Sequence, residues 1–275
     1  VGHSGYGTRA IDSIGLPATV AADGPQGIKA TYAGNNSTVA YTSEPVMAAT
    51  FNTEILYNVG LSMGEDALRS DNRVVGWYGP AMNIHRTPYS GRNFEYYSED
   101  GFLSGKMAAQ EVAAARSKGL VVYIKHFALN DFETYRQSVA TFATEQAIRE
   151  IYLKGFGICV REAQPKAVMT SYNLLNGTHT AENRGLIMDI LRAEYGYQGI
   201  VMTDWVTPMT GDTRSAHRDS QAQYVAAAGC DLFMPGNKGD YDNLLQGIDS
   251  GTVTLEQVKI NASRVVRTVR ALTQE

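Results

Sequence analysis

Short apolar runs alternate along the chain with longer segments whose apolar residues recur at steps of three and four. The runs are "LPATVAADGP", "EPVMAATF", "VVGWYGPAMNI", "GLVVYIKHFALN", "KAVMTSYNLLNG", "GIVMTDW" and "CDLFMPG". Each is too short for a buried helix and several are rich in β-branched residues, so they read as strands. Ile200, Val201 and Met202 are apolar without a break, which marks a strand buried on both faces, as in parallel sheets. The intervening segments read as helices. Ile148, Ile151, Tyr152, Gly155, Phe156 and Cys159 share one helical face. Leu186, Ile187, Ile190 and Leu191 do the same, with Gly196 as a left-handed stop. Thr254 and Gln257 form a capping box ahead of a stripe of Val258, Ala262, Val265 and Val269.

Strands alternating with helices give a parallel sheet in an α/β fold. The expectation is a (β/α)8 TIM-like barrel, an architecture that takes about 250 residues, with residues 1–275 as a single barrel domain. Seven strands can be placed. The eighth is irregular or missing, and the stretch from Asn243 to Val253 is where it would fall. The alternative is a doubly wound open sheet, which carries a glycine-rich phosphate turn after its first strand. "ADGPQGIK" is a poor version of that turn, because Pro25 removes one of the amides a phosphate would need.

Composition narrows the function classes. The 275 residues are 44% hydrophobic, with 24 basic and 28 acidic side chains and a net charge of −4. No basic field draws in nucleic acid, and no apolar run is long enough to span a membrane. The chain starts at Val1 without a signal peptide and reads as a processed or excised piece of something longer. Cys159 and Cys230, each in an apolar context, read as buried free thiols. Sequons at Asn35, Asn176 and Asn261 are short matches that leave the compartment open. Five histidines without ligand spacing give no support to a metal site, and nothing points to a cofactor.

Parallel strands place their carboxyl ends on one rim, where barrel active sites lie. Those ends carry Asp23, Arg92 (in the loop after its strand), Lys125 with His126, Tyr172, and Asp204 with Trp205. Each has a plain alternative. Asp23 fits a turn, and Arg92 fits a surface pair with Glu95 or Glu99. Lys125 fits a snorkelling surface group, His126 a satisfied core histidine, Tyr172 a core cap and Trp205 simple packing. Together they make the orientable donors, acceptors and aromatic wall that a polyol ligand needs. Retaining glycoside hydrolysis uses one ionised carboxylate as nucleophile and one carboxyl as proton donor. Asp204 suits the first role, and Lys125 and Arg92 nearby would favour its charged form.

The blocks "GPAMNIHRTPYSGRNFEYYSED", "KHFALNDFETYR", "AIREIYLKGF", "VMTSYNLLNG", "LRAEYGYQGIVMTDW" and "AGCDLFMPG" resemble, in order, the barrel domain of glycoside hydrolase family three. That family contains β-glucosidases and β-xylosidases. The resemblance implies Asp204 as nucleophile and Asp23 as a ligand of sugar hydroxyls far from the anomeric carbon. It implies that Arg92, Lys125 and His126 hold further hydroxyls, that Tyr172 sits beside the nucleophile, and that Trp205 flanks the sugar. The substrate implied is a β-glucoside or short oligosaccharide, hydrolysed from its end with retention. A β-xylosidase and a non-catalytic sugar-binding barrel are the alternatives. An aldolase-type Schiff base at Lys125 is opposed by the nearby carboxylates, which would raise rather than depress the lysine pKa.

Two departures refine the resemblance. The N-acetylglucosaminidase branch carries "KHFPGHG", where this chain reads "KHFALND", so aminosugar hydrolysis loses support. The glucosidase side takes its acid/base from a separate α/β sandwich domain, which this chain lacks. That domain is expected as a partner, on the same polypeptide or another. Glu133 and Glu145 are the in-chain alternatives for the acid.

Overall fold

The apolar runs form strands because their side chains can be covered on both faces at once. In the computed structural model, which describes residues 6–34, 38–137, 139–206 and 218–272, the strands are β1 (Ala21–Asp23), β2 (Gly76–Tyr78), β3 (Val121–Phe127), β4 (Ala140–Thr141), β5 (Ala167–Thr170), β6 (Leu174–Leu175), β7 (Thr178–His179), β8 (Ile200–Trp205) and β9 (Leu232–Met234). The main sheet runs β1-β2-β3-β5-β8-β9, with every neighbouring pair parallel. β4, β6 and β7 make a separate small sheet. A doubly wound sheet would reverse its strand order partway, and this one does not.

The sheet is a curled half-barrel. β1 and β9 are its two ends among the described residues. Curling carries the Trp205 ring of β8 to 5.3 Å from the Tyr78 ring of β2, although β3 and β5 lie between them in the sheet. One predicted strand is a helix instead, and no strand forms where the eighth would fall. "EPVMAATF" contains the helix Glu44–Ala48, preceded by an extended Ser43 and carrying Pro45 in its first turn. Proline fits a helix start because its missing N–H has no intrahelical partner there anyway. The stretch near Asn243 lies in the helix Lys238–Asp249, started by an Asn237/Asp240 capping box. A full eight-stranded barrel is therefore not present among the described residues.

Alternation along the strands sorts two cores. Ala22, Trp77, Val122, Ile124, Val168 and Val201 face outward and pack with helix residues such as Leu56, Met63, Met107 and Phe156. Ala21, Tyr78, Tyr123, Met169, Ile200, Met202 and Met234 face inward. The inner face is covered by Leu16 and by Val265 and Val269 of the helix Leu255–Ala271. The stripe predicted for that helix is thus buried against the concave side of the sheet. Each such side chain contributes about 1.5–3 kcal/mol through burial. Thr254 Oγ1 accepts from the Gln257 amide, but the Gln257 side chain turns to Asn261, so only half of the predicted capping box forms.

The segment beginning at Glu145 departs from simple helical phase. A π-turn spans Ile148–Tyr152 before the α-helix Lys154–Ala163. The wider turn rotates the face, so Ile148, Gly155, Phe156 and Cys159 are buried while Ile151 is exposed. Both cysteines are free and buried, as expected. Of the sequons, Asn35 lies outside the described residues and Asn176 is exposed. Asn261 is buried, donating to the carbonyls of Ala226 and Cys230. No helix among the described residues is long and apolar enough to cross a membrane.

A buried ion cluster ties β8 to β9. Asp231 Oδ2 accepts from the Val201 amide at 2.8 Å and from Arg192 at 2.7 Å, while Oδ1 accepts from Arg264 at 2.9 Å. The carboxylate has no exposed surface. Burial pushes its pKa up, and the two guanidiniums with the Val201 amide oppose that shift. Asp231→Ala should lower stability by about 3–5 kcal/mol, the cost of stranding buried charge, as measured by urea unfolding. A loss below about 1 kcal/mol, the range of an exposed pair, would show that the cluster does not hold the strands.

Candidate active site

The rim of the half-barrel is built by the strand ends themselves. Asp23 closes β1, Tyr78 closes β2, Lys125 and His126 lie near the end of β3, and Asp204 and Trp205 end β8. Tyr172 follows β5 by two residues, and Arg92 leads into the 3-10 turn Asn93–Glu95. Gly24 follows Asp23 with φ +132°, and a Cβ there would sit 1.8 Å from the Gly27 carbonyl. That close approach requires glycine, and it turns the chain sharply while leaving the Asp23 side chain at the rim.

Two irregularities aim consecutive side chains at one place. The β3/β5 register shifts between Ile124 and Phe127, and the β8/β9 register shifts between Met202 and Trp205. Regular alternation would send Lys125 and His126, or Asp204 and Trp205, to opposite faces. A bulge re-aims one of each pair. All of the residues predicted from the sequence line a single cavity of about 600 Å³: Asp23, Arg92, Lys125, His126, Tyr172, Asp204 and Trp205.

Charge is distributed unevenly around this cavity. Asp23 accepts from Lys125 Nζ through Oδ1 and from Lys29 Nζ through Oδ2, each at 2.8 Å. Burial works to raise its pKa, but the two ammoniums outweigh burial and hold the carboxyl well below the usual range. Arg92 donates through Nε to Glu95 and through Nη2 to His126 Nε2 at 2.9 Å. His126 Nε2 is therefore an acceptor, and its proton sits on Nδ1, 3.4 Å from Asn83 Oδ1. Burial, with Arg92, Lys125 and Arg136 adding to it, holds this imidazole neutral by driving its pKa well below the ordinary value. Its 3.8 Å approach to Asp204 Oδ2 is for that reason no ion pair.

Asp204 itself is buried, with Oδ1 accepting the Trp205 amide at 2.7 Å. Tyr172 directs its hydroxyl to the Asp204 carboxylate, and burial followed by that negative charge pushes the phenol pKa up. The sequence suggested that cations would dominate at Asp204. In the structure desolvation dominates, and the pKa is raised. Arg92, the Trp205 amide, Lys125 and Arg136 only reduce the shift. None of these cations makes a direct hydrogen bond to the carboxylate, which is why charge attraction does not prevail.

Three assignments change. Arg92 and Glu95 do pair, but inside the cavity and not on the surface, with side chains 16% and 3% exposed. Glu133 lies outside the cavity lining, accepting from Arg136 at 2.9 Å. Glu145 is exposed and pairs with Arg149, away from the cavity. The sequence reading missed Glu95, Gln26, Lys29 and Arg136 as cavity residues. Arg136 also lies over the Tyr172 ring at 4.8 Å. A signal existed for Glu95, three residues after Arg92, but Arg136 sits in a loop without periodicity. Among the described residues no group of three or more histidine, cysteine or acidic side chains is placed to hold a metal ion.

Residues 6–268 match the model of the glycosyl hydrolase family 3 N terminal domain. Beta-glucosidase B of Emericella nidulans is 37% identical over 274 residues, which cover 98% of this chain and 31% of that protein. Beta-glucosidase A of Butyrivibrio fibrisolvens is 43% identical over 201 residues, 73% of this chain and 24% of that protein. The structure of beta-glucosidase 3B from Thermotoga neapolitana in complex with glucose superposes with a TM-score of 0.86 at 37% identity, covering 98% of this chain and 38% of that one. The chain thus spans less than half the length of these relatives. On the family match and this similarity along nearly all of its length, the chain belongs to glycosyl hydrolase family 3.

Proposed function

We propose that this chain is the nucleophile-bearing domain of a retaining, exo-acting β-glycosidase that hydrolyses terminal β-D-glucosyl residues. The observation that carries the reading is the convergence of Asp204 with Asp23, Arg92, Lys125, His126, Tyr172 and Trp205 on one cavity. Family membership and the glucose complex of the Thermotoga neapolitana relative support the choice of sugar. A β-xyloside, which lacks only the hydroxymethyl group, is the second reading within the family.

The chemistry follows from the two Asp204 oxygens. Oδ1 is anchored by the Trp205 amide, and we assign Oδ2, on the His126 side, to attack the anomeric carbon. The bond to the leaving oxygen breaks as the aspartyl ester forms, and the leaving oxygen takes a proton from a general acid. Asp23, held ionised by its lysines, has no proton to give. By the family resemblance, we assign the acid to an α/β sandwich domain outside this chain. Water, deprotonated by the same group, then attacks the anomeric carbon, and the bond from that carbon to the aspartyl oxygen breaks, releasing the sugar and restoring Asp204. The neutral His126, Arg92, Lys125 and Asp23 would hold the hydroxyls, and Trp205 the apolar face of the ring.

A 2-deoxy-2-fluoro-β-glucoside with a good leaving group needs no acid for the first step. It should label the isolated chain at Asp204, as read by peptide mass spectrometry. Asp204→Ala should abolish labelling, a loss of about a thousandfold or more in rate. A label on another carboxylate would remove the assignment, and complete inertness of the wild type would favour a non-catalytic sugar-binding barrel.

The raised pKa of Asp204 sets the pH profile. Only the ionised carboxylate attacks, so labelling should fall as pH drops through that pKa. The acid limb should stand above 3.8, the ordinary aspartate value. Arg136→Gln removes one of the opposing cations and should move the limb to still higher pH. A limb at or below the ordinary value would contradict desolvation as the dominant influence.

A further inference from the structure

The segment that precedes β1 reaches the same cavity. Tyr6 lies along β1, where its carbonyl accepts the Ala21 amide at 3.1 Å and the Thr8 carbonyl accepts the Thr19 amide at 3.0 Å. Between them Gly7 adopts φ +136°, and a Cβ there would come within 1.9 Å of the Thr19 carbonyl oxygen. Only glycine lets the segment lie this close to the sheet. The Tyr6 ring then meets Trp205 at 4.9 Å between centroids and an interplanar angle of 30°. Tyr78 completes the cluster, 6.2 Å from Tyr6 and at 71° to Trp205. The three rings come from the segment before β1, from β2 and from β8, and all line the cavity.

Trp205 is the last residue of β8, and its backbone is held to β9, since the following Val206 amide donates to the Met234 carbonyl at 2.8 Å. That bond fixes the backbone and not the plane of the indole, which offset aromatic packing sets. We propose that Tyr6 is a positioning residue for the sugar platform, holding the Trp205 indole plane from outside the strand set, with Gly7 setting its reach. The proposal rests on the sugar-site reading given above. It makes the residues ahead of the first strand a working part of the site.

Two readouts on the full chain test it. The first is Trp205 emission, isolated as the difference between each Tyr6 variant and the same variant carrying Trp205→Phe. The second is labelling by the fluoro-glucoside, resolved into inactivator affinity and maximal rate. Tyr6→Leu keeps apolar bulk but removes the ring. It should shift Trp205 emission to the red and weaken inactivator affinity by about tenfold, the scale of a lost aromatic pair, with less effect on the maximal rate. Gly7→Ala should reproduce both changes by displacing the segment. Tyr6→Phe, which restores the ring without the hydroxyl, should rescue both. Unchanged emission and affinity in Tyr6→Leu would overturn the proposal. So would a Tyr6→Phe variant as impaired as Tyr6→Leu, which would assign a hydroxyl contact and not a brace. If the wild type takes no label, the glycosidase reading fails, and the emission of Tyr6→Leu against Tyr6→Phe still decides whether Tyr6 fixes the indole.

Discussion

Everything at the rim answers to one cost, that of keeping the Asp204 carboxylate out of water at the end of a buried strand. Removing a carboxylate from water costs several kcal/mol unless partners replace the lost solvation. Here the replacement is partial. One amide and one phenol touch the carboxylate, while Arg92, Lys125 and Arg136 act from further away. Full pairing with an arginine would stabilise the fold more and would also quench a nucleophile. The arrangement leaves the group basic and in reach, a familiar trade between stability and reactivity.

The cations nearby have their own partners, which keeps them from closing on Asp204. Lys125 is drawn to Asp23, and Arg92 is engaged by Glu95 and by the lone pair of His126. A neutral imidazole between Arg92 and Asp204 separates guanidinium from carboxylate without adding charge. The bulges in β3 and β8 make this geometry available, because each lets two neighbouring residues serve one cavity. Loss of ladder regularity at both strands is the structural counterpart of a dense polar site.

Much of the site was legible because charged residues at the ends of apolar strands have few uninteresting explanations when they recur strand after strand. Asp23 and Lys125 directly follow apolar runs and Asp204 follows one with only Thr203 between, and a parallel sheet converts that sequence pattern into proximity. What could not be read depended on three dimensions. Sheet closure leaves no local mark, so the half-barrel was invisible. The run containing Pro45 has the composition of a strand, and only the proline after Ser43 argued for a helix start. The π-turn at Ile148–Tyr152 shifts phase by less than a helical turn, beyond what periodicity resolves. Arg136 reaches the cavity from an irregular loop, where spacing carries no information. The balance of desolvation and charge at Asp204 needed the actual distances.

Asn261 shows how a fold can conflict with a host cell. Its side-chain amide bridges two carbonyls near the start of β9, within the helix that lines the concave face of the sheet. It also heads an Asn-Ala-Ser triplet, which oligosaccharyltransferase reads in nascent chains before they fold. A glycan on that nitrogen would leave one hydrogen for two acceptors and place a bulky, hydrated group where the helix must seat. Secretion from a glycosylating host would therefore set modification against folding at this residue, and replacing Ser263 by alanine would remove the acceptor while leaving the buried amide in place.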